Sequence, residues 1–139
     1  DDYSTSSKEM IIKFIMAHHF DWKLAKNITP RNSYKFKTED QNLNIIMQTM
    51  DNDINSLDKF IGDVDELNSG LPVLLKKYIK LNAKIIGFNV DPKFNNCLDG
   101  LIALDLCDIP PNTIESLSKE ANDSALLQQF YSRKLKNGK

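Results

Sequence analysis

Two apolar segments separated by a polar stretch constrain this chain more than any other feature. Hydrophobic residues dominate positions 83–90 and 100–107, whereas the intervening stretch from Asp91 to Asp99 contains Pro92 and two asparagines. The alternating side chains of each segment indicate two β-strands joined by a polar tip. An isolated two-stranded hairpin is marginally stable in water. We therefore expect it to be covered by the chain's own helices, by a second copy or by further strands of a larger domain.

Helical patterns precede this hairpin. Ser6 and Glu9 fit a capping box, and the apolar spacing that follows predicts a helix from about Ser7 to His19. Asp21 is the expected N-cap of a second, short helix.

The next segments are less uniform in pattern. Tyr34 and Phe36 alternate with lysines, which favours a short strand. Residues 41–54 fit either a helix or a strand, and a helix is expected to begin near Ser56. Pro72 is placed at the first position of a further helix, where its missing N–H has no cost.

The helix after Pro72 and two C-terminal helices complete the predicted elements. We expect C-terminal helices over residues 113–120 and, with Asp123 as the cap, up to Lys136. The helix after Pro72 is expected to turn one apolar face inward. That face consists of Leu71, Leu74, Leu75, Tyr78 and Leu81.

Composition limits the classes of partner. With 18 basic and 19 acidic residues, the formal net charge is -1, and the basic excess that phosphate backbones require is missing. We therefore expect no nucleic-acid partner. A length of 139 residues suits a single domain, 1–139. No apolar run approaches the roughly 18 residues of a membrane-spanning segment.

The cysteines and histidines indicate neither a disulfide nor a metal site. Cys97 and Cys107 are the two cysteines of the chain, and we expect both to be reduced in a cytoplasmic protein. His18 and His19 are adjacent, so on a helix their side chains point about 100° apart and cannot share one ion.

Several residues have a chemical interpretation beside a structural one. The helix start at Ser6, Ser7 and Lys8 offers backbone donors and a positive dipole end to a phosphate group, and equally fits an ordinary cap. Asp91 and Asp99 flank the hairpin tip. If the tip were partly desolvated, one of these carboxyls would be suited to binding or deprotonating an amine, whereas the alternative is turn stabilisation.

Other residues are candidates for substrate contact. Lys76 and Lys80 share a helical face that fits an acidic carrier protein or a substrate carboxylate, or else is merely solvated. Asp105 alternates with apolar residues and, if covered, needs a partner such as Lys84. Trp22, with Phe20 beside it, suits either the core or contact with an acyl chain or bilayer.

The helix and hairpin together resemble one known family. The matching positions include four leucines and two aspartates. The resemblance is most specific between residues 71 and 106. The matching positions are Leu71, Pro72, Leu74, Leu75, Lys76, Tyr78, Leu81 and Ala83, then Asp91, Phe94 and Asp99. In these residues the chain resembles the bacterial N-acyltransferases of the ornithine-lipid-synthase type, also labelled hemolysin-like, which have a GNAT-related fold.

The resemblance implies a fold and a reaction. The predicted elements give an α+β fold, with helices packed on a small antiparallel sheet dominated by the hairpin, and the resemblance implies the C-terminal half of a GNAT-like domain. The implied reaction moves a fatty acyl group onto an amino-acid amine during membrane-lipid synthesis. No bound cofactor is implied, and the acyl donor is the phosphopantetheine of an acyl carrier protein or acyl-CoA.

The resemblance also assigns roles to residues. Asp91 and Asp99 are the implied catalytic carboxylates. The helix start at Ser6, Ser7 and Lys8 is the candidate donor site on its own chemistry. Lys76, Tyr78 and Phe94 are the implied substrate contacts. Expected partners are an acyl carrier protein, the amino-acid acceptor, the inner-membrane surface and a second copy paired through the sheet edge.

The chain departs from the family at its start. A GNAT-type domain begins with several strands and two helices and has a glycine-rich phosphate loop, whereas Tyr3–Ser7 stand at that place here. We therefore expect this chain to be either a C-terminal part of a larger domain or a shortened relative. The competing hypothesis is a non-catalytic portion that docks a carrier protein or partner domain. A pore-forming hemolysin is disfavoured because no spanning or lytic segment is evident.

Overall fold

Two antiparallel strands, β1 (Lys84–Asp91) and β2 (Cys97–Ala103), form the sheet of this protein. The computed structural model describes residues 3–37, 41–67 and 70–138. Helices pack on the hairpin, which confirms the predicted α+β class. The α-helices of the described part are α1 (Thr5–His18), α2 (Trp22–Ala25), α3 (Gln41–Thr49), α4 (Ile54–Val64), α5 (Val73–Lys80), α6 (Pro111–Glu120) and α7 (Ser124–Asn137).

The hairpin has a shorter tip and an earlier second strand than predicted. Asp91 pairs with Cys97 at its end, and a 3-10 turn over Pro92–Phe94 fills most of the connection. Asn95 and Asn96 close it in the left-handed region, with φ of 53° and 55°. Asparagine tolerates this conformation better than most residues, so these two positions determine where the chain reverses.

The second strand also ends earlier than predicted. β2 stops at Ala103, and residues Leu106–Asp108 form a 3-10 turn instead of strand. Asp105 is exposed and accepts a hydrogen bond from the Cys107 amide at 2.9 Å. Asp105 is not covered by other elements and its carboxylate caps a turn, so the condition under which it would need a partner such as Lys84 is not met.

The two outer edges of the hairpin differ. The edge of β1 is covered by the chain after α1, since the Ile85 amide donates to the His19 carbonyl at 2.8 Å and the Asp21 amide donates to the Ile85 carbonyl at 3.0 Å. Further along, the Val90 amide donates to the Asn32 carbonyl at 2.8 Å. Within the described part of the chain, β2 pairs with β1 and with no other strand.

Helix α1 begins before the predicted position. Its N-cap is Ser4, whose hydroxyl oxygen accepts from the Ser7 amide at 3.1 Å. The capping box of Ser6 and Glu9 is therefore wrong. Glu9 is fully buried and accepts hydrogen bonds from the Tyr34 hydroxyl at 3.1 Å and the Lys37 amide at 2.6 Å.

The segment after α1 matches the sequence in one element and differs in another. Asp21 caps α2 by accepting from the Leu24 amide at 3.0 Å, as predicted. The expected strand at Tyr34 and Phe36 is wrong, because the neighbouring Ser33 makes only an isolated bridge to Asn89. The Tyr34 hydroxyl is bound to Glu9 on α1, so α1 holds this segment in place of strand pairing.

Helix α5 turns only part of the predicted face inward: Leu71, Leu75 and Leu81 pack in the apolar clusters, whereas Leu74 and Tyr78 do not. It starts at Val73, one residue later than predicted, with Pro72 as the N-cap. Ile79 is buried, whereas Leu74 is 66% exposed and Tyr78 is 38% exposed. Leu74 and Tyr78 are one turn apart, so a small rotation of this short helix moves both out of the core.

Two apolar clusters hold the described elements together. The larger cluster joins the inner faces of α1, α3, α4 and α5 to β1, with Phe14, Met47, Leu57 and Ile61 fully buried. The smaller cluster is formed by Ile109, Ile114 and Phe130 around α6 and α7. Both C-terminal helices occur where the sequence predicts them, and Asp123 caps α7.

Candidate functional site

An apolar cavity of about 580 Å³ lies between the hairpin, α1 and α5. Apolar side chains from all three supply most of its wall, and the hairpin contributes from both strands. The apolar lining includes Ile11 and Ile15 of α1, Leu74 and Leu75 of α5, and Ile85, Phe88, Leu98 and Ile102 of the hairpin.

The cavity is lined at the centre of β2 by a glycine, which carries no side chain into it. Gly100 pairs with Phe88 and lines the cavity. A Cβ at Gly100 would lie 4.0 Å from both Ile85 Cγ2 and Phe88 Cε1, which is ordinary contact distance. A side chain at this position would therefore fit the backbone and occupy the cavity.

Three of the eight predicted site residues line this cavity: Lys8, Tyr78 and Asp99. Sequence reasoning also missed Tyr3, whose hydroxyl donates to the Gly70 carbonyl at 2.6 Å and which also lines the cavity. Burial, and then the nearby Asp65 and Asp58 carboxylates, raise the pKa of Tyr3. Tyr3 therefore serves here as a hydroxyl donor and stays uncharged at neutral pH.

The two tip aspartates have different surroundings. Asp99 borders the cavity but is exposed, so the desolvation expected for it is absent. Its strand neighbours Leu98 and Gly100 lie on one face of the ribbon, and strand alternation places the Asp99 side chain on the other. Asp91 does not line the cavity, and its carboxylate accepts from the Lys93 amide at 2.9 Å. Asp91 thus caps the turn at the tip, as expected if its role is to stabilise that turn and not to bind an amine.

Lys76 faces away from the cavity and supports α5. Its ammonium group lies 3.1 Å from a carboxylate oxygen of Asp58 on α4, while the other oxygen of Asp58 accepts from the Leu71 amide at 2.7 Å. The Leu71 hydrogen bond lowers the pKa of Asp58, and burial opposes it. The Lys76 hydrogen bond and the charges of Lys76 and Lys80 lower this pKa further. Asp58 therefore fixes the start of α5 relative to α4.

Of the remaining predicted site residues, Ser7 has a structural role, and Ser6 and Phe94 are exposed to solvent. Ser7 is buried and its hydroxyl lies 3.0 Å from that of Ser4, so it belongs to the cap of α1. Ser6 is exposed on the first turn of α1. Phe94 is 72% exposed in the tip and does not line the cavity.

A second apolar cavity of about 390 Å³ lies beside α2 and β1. Phe20 and Trp22 both line it, and their ring centroids are 4.4 Å apart. Trp22 is 56% exposed. Of the two interpretations for this pair, the core role fits Phe20 better, since Phe20 packs against the larger cluster.

Comparisons with known proteins leave the site to be interpreted from its own geometry. No protein-family model, curated protein or solved structure matches this chain. Over residues 3–37, 41–67 and 70–138, no helix combines the length and apolar character needed to cross a membrane. Within those same residues, no cluster of three or more His, Cys, Asp or Glu side chains is arranged to hold a metal ion.

Proposed function

We propose that this chain is the acyl-binding part of a GNAT-like N-acyltransferase. In this reaction a fatty acyl group passes from an acyl carrier protein or acyl-CoA to the amine of an amino acid. The observation that carries the proposal is the apolar cavity between the hairpin, α1 and α5. The cavity explains why the hairpin is so apolar, because the hairpin then forms the wall of a binding site as well as part of the core.

The lining of the cavity suits a hydrocarbon chain. Ile11, Ile15, Leu75 and Ile102 offer apolar surface from three directions. Burying one CH₂ group against such surface contributes about 0.8 kcal/mol. Several methylenes therefore supply enough free energy to select an acyl donor over its free carrier.

The first turn of α1 supports a position for the donor's phosphate group. Lys8 lines the cavity and Ser6 is exposed on the same turn, at the helix end whose dipole favours anions. Ser7 is omitted from this role, because its amide is already bound by the Ser4 hydroxyl.

Asp99 is the candidate group for the amine. The neutral amine attacks the thioester carbonyl carbon, so a C–N bond forms while the C–S bond breaks. The side chain of Asp99 lies on the ribbon face opposite Gly100. Its carboxylate therefore takes the proton from the amine nitrogen through a water at the edge of β2, and the proton then passes to the departing thiolate. Tyr78, which is half exposed at the cavity, can donate a hydrogen bond to the carbonyl oxygen.

Blocking the cavity tests acyl binding. Gly100→Val places a side chain in the cavity without backbone conflict, and it should weaken binding of a fluorescent fatty-acid analogue at least about ten-fold, through lost burial of methylenes. Leu101→Val, on the next residue of β2 and outside the cavity lining, is the matched control. Equal affinities for the two variants would contradict the proposal.

A non-catalytic docking portion is the second candidate, and specific observations favour it. Asp91 and Lys76 have structural partners, and the Asp99 side chain lies on the opposite ribbon face from Gly100. Mass spectrometry of N-acyl amino acids formed with acyl carrier protein separates the two candidates. The enzyme requires product that disappears in Asp99→Asn while fatty-acid binding persists. Binding without any product supports docking alone.

A further inference from the structure

The outward face of α5 combines exposed apolar and basic side chains. With about 3.6 residues per turn, Ile79 and Leu75 point inward and the opposite side is formed by Val73, Leu74, Lys77 and Lys80. Val73 is 62% exposed and Leu74 is 66% exposed, although both side chains are aliphatic. We call these four residues the α5 surface.

The charge of the α5 surface has one sign. From Leu71 to Lys84 the sequence contains four lysines and no acidic residue. Of these, Lys76 is paired with Asp58, whereas Lys77 and Lys80 are exposed on the outward side. A face that pairs aliphatic residues with lysines is complementary to an anionic lipid surface, because the aliphatic groups enter the acyl boundary and the ammonium groups meet the headgroups.

The α5 surface adjoins the cavity. Leu74 belongs to both, and Tyr78, one turn further along, also lines the cavity and is 38% exposed. An acidic protein partner with an apolar patch would use the same residues, and it is the alternative that the test separates. A lipid surface also uses both kinds of residue and accounts for their position beside an apolar cavity, so it is the occupant argued for this face.

We propose that the α5 surface binds the surface of an anionic phospholipid bilayer and holds the mouth of the cavity against it. The contact is peripheral and reversible, because two lysines and two aliphatic side chains give a modest affinity. Membrane contact itself does not depend on the proposed function; only the assignment of the cavity to a fatty acyl chain rests on it.

Vesicle sedimentation without any acyl donor tests the contact. The wild-type chain should sediment with vesicles of mixed phosphatidylglycerol and phosphatidylcholine, and much less with phosphatidylcholine alone or at high salt. Lys77→Gln/Lys80→Gln should weaken binding about ten-fold or more, given the contribution of each lysine near an anionic surface. Val73→Ser/Leu74→Ser should also weaken vesicle binding. Changing the salt concentration should not restore that binding, because the contribution lost is apolar.

The matched control is Lys119→Gln/Lys136→Gln, which changes the net charge equally at exposed positions of α6 and α7. Circular dichroism confirms that each variant is folded. Absence of sedimentation with anionic vesicles, or an equal loss in the control, overturns the proposal. So does a result in which Lys77→Gln/Lys80→Gln abolishes binding of acyl carrier protein and leaves vesicle binding unchanged.

The outcome is separable from that of the proposed function. Vesicle binding with no change of fatty-acid affinity in Gly100→Val supports the membrane contact and contradicts the acyl site. Acyl binding that is lost in Gly100→Val, in a chain that does not sediment with vesicles, supports the acyl site and overturns the membrane contact.

Discussion

At the scale of single residues, burial gives two adjacent histidines different roles, which their positions in the sequence do not distinguish. His18 and His19 are adjacent, yet His18 has its Nε2 atom 3.0 Å from the Met47 carbonyl oxygen, whereas His19 is buried and its Nε2 has no hydrogen-bond partner. Burial, followed by the charges of Lys84 and His18, lowers the pKa of His19 to about 4. His19 is therefore a neutral core residue.

This histidine makes stability depend on pH. The unfolded chain binds a proton at His19 near the ordinary value of 6.5, but the folded chain binds it only near about 4. Stability is therefore fully present above the unfolded pKa and falls as pH decreases between these two values, by about 2 kcal/mol from neutral to pH 4.5. Urea unfolding at the two pH values measures it.

The pH effect has a matched control. His19→Gln should remove most of the difference between the two pH values, because glutamine does not titrate, while His18→Gln should retain it. Lys84, next to the strand residue that binds the His19 carbonyl, is unchanged in both. If His19→Gln loses as much stability at low pH as the wild type, the assignment to His19 is wrong.

At the scale of elements, local chemistry predicted where helices start, and packing decided what their residues contact. Asp21 and Asp123 were predicted as caps and are caps, because a cap involves backbone groups within three residues. Glu9 also had a local explanation, the capping box, but it binds Tyr34 and Lys37, which are 25 and 28 residues away. These partners could not be read from spacing.

The two explanations of Glu9 predict different results for one substitution. A capping box accepts Gln in place of Glu, so it predicts little change for Glu9→Gln. A buried carboxylate that accepts from Tyr34 and Lys37 predicts a loss of about 2 kcal/mol, because hydrogen bonds to charged groups are the stronger ones. Urea unfolding at neutral pH measures the difference.

Serines at the start of α1 provide the controls for this test. Ser4→Ala should cost about 1 kcal/mol, because its hydroxyl oxygen accepts from the Ser7 amide. Ser6→Ala should leave the free energy of unfolding within about 0.5 kcal/mol, as expected for an exposed surface position. A larger loss of stability in Ser6→Ala than in Ser4→Ala would support the capping box of Ser6 and Glu9 instead.

At the scale of the whole molecule, two separate clusters divide the chain. The larger cluster contains α1 and the hairpin, and the smaller one contains α6 and α7 with Ile109 before them. The C-terminal helices pack mainly on each other and on the turn over Leu106–Asp108. Among the described residues β2 pairs only with β1, and pairing of two copies along the other edge of β2 stays a prediction.

This division predicts two levels of protection from hydrogen exchange. Phe14→Ala, in the larger cluster, should lower the free energy of unfolding by about 3 to 5 kcal/mol and reduce protection throughout the chain. Phe130→Ala, in the smaller cluster, should reduce protection chiefly over residues 109–137. Exchange followed by mass spectrometry measures both variants. Equal loss of protection in β1 from Phe130→Ala would show one cooperative unit instead.

The candidate site was predicted in part. The resemblance and the residue patterns pointed to the helix and hairpin, and Lys8, Tyr78 and Asp99 do line one cavity there. The patterns did not show that Lys76 pairs with Asp58 or that Asp91 caps the tip. Tyr3 gave no signal at all, since its contact with Gly70 joins residues 67 positions apart.

The sequence by itself determined the hairpin, most helix starts and the α+β class, because strand alternation, asparagine-rich turns and helix caps act within a few residues. Only the tertiary structure decided which face of α5 is buried, what Glu9 binds, and that Gly100 leaves a cavity. Each of these depends on side chains brought together from distant positions, and the free energy of such contacts exceeds the small local preferences that sequence patterns express.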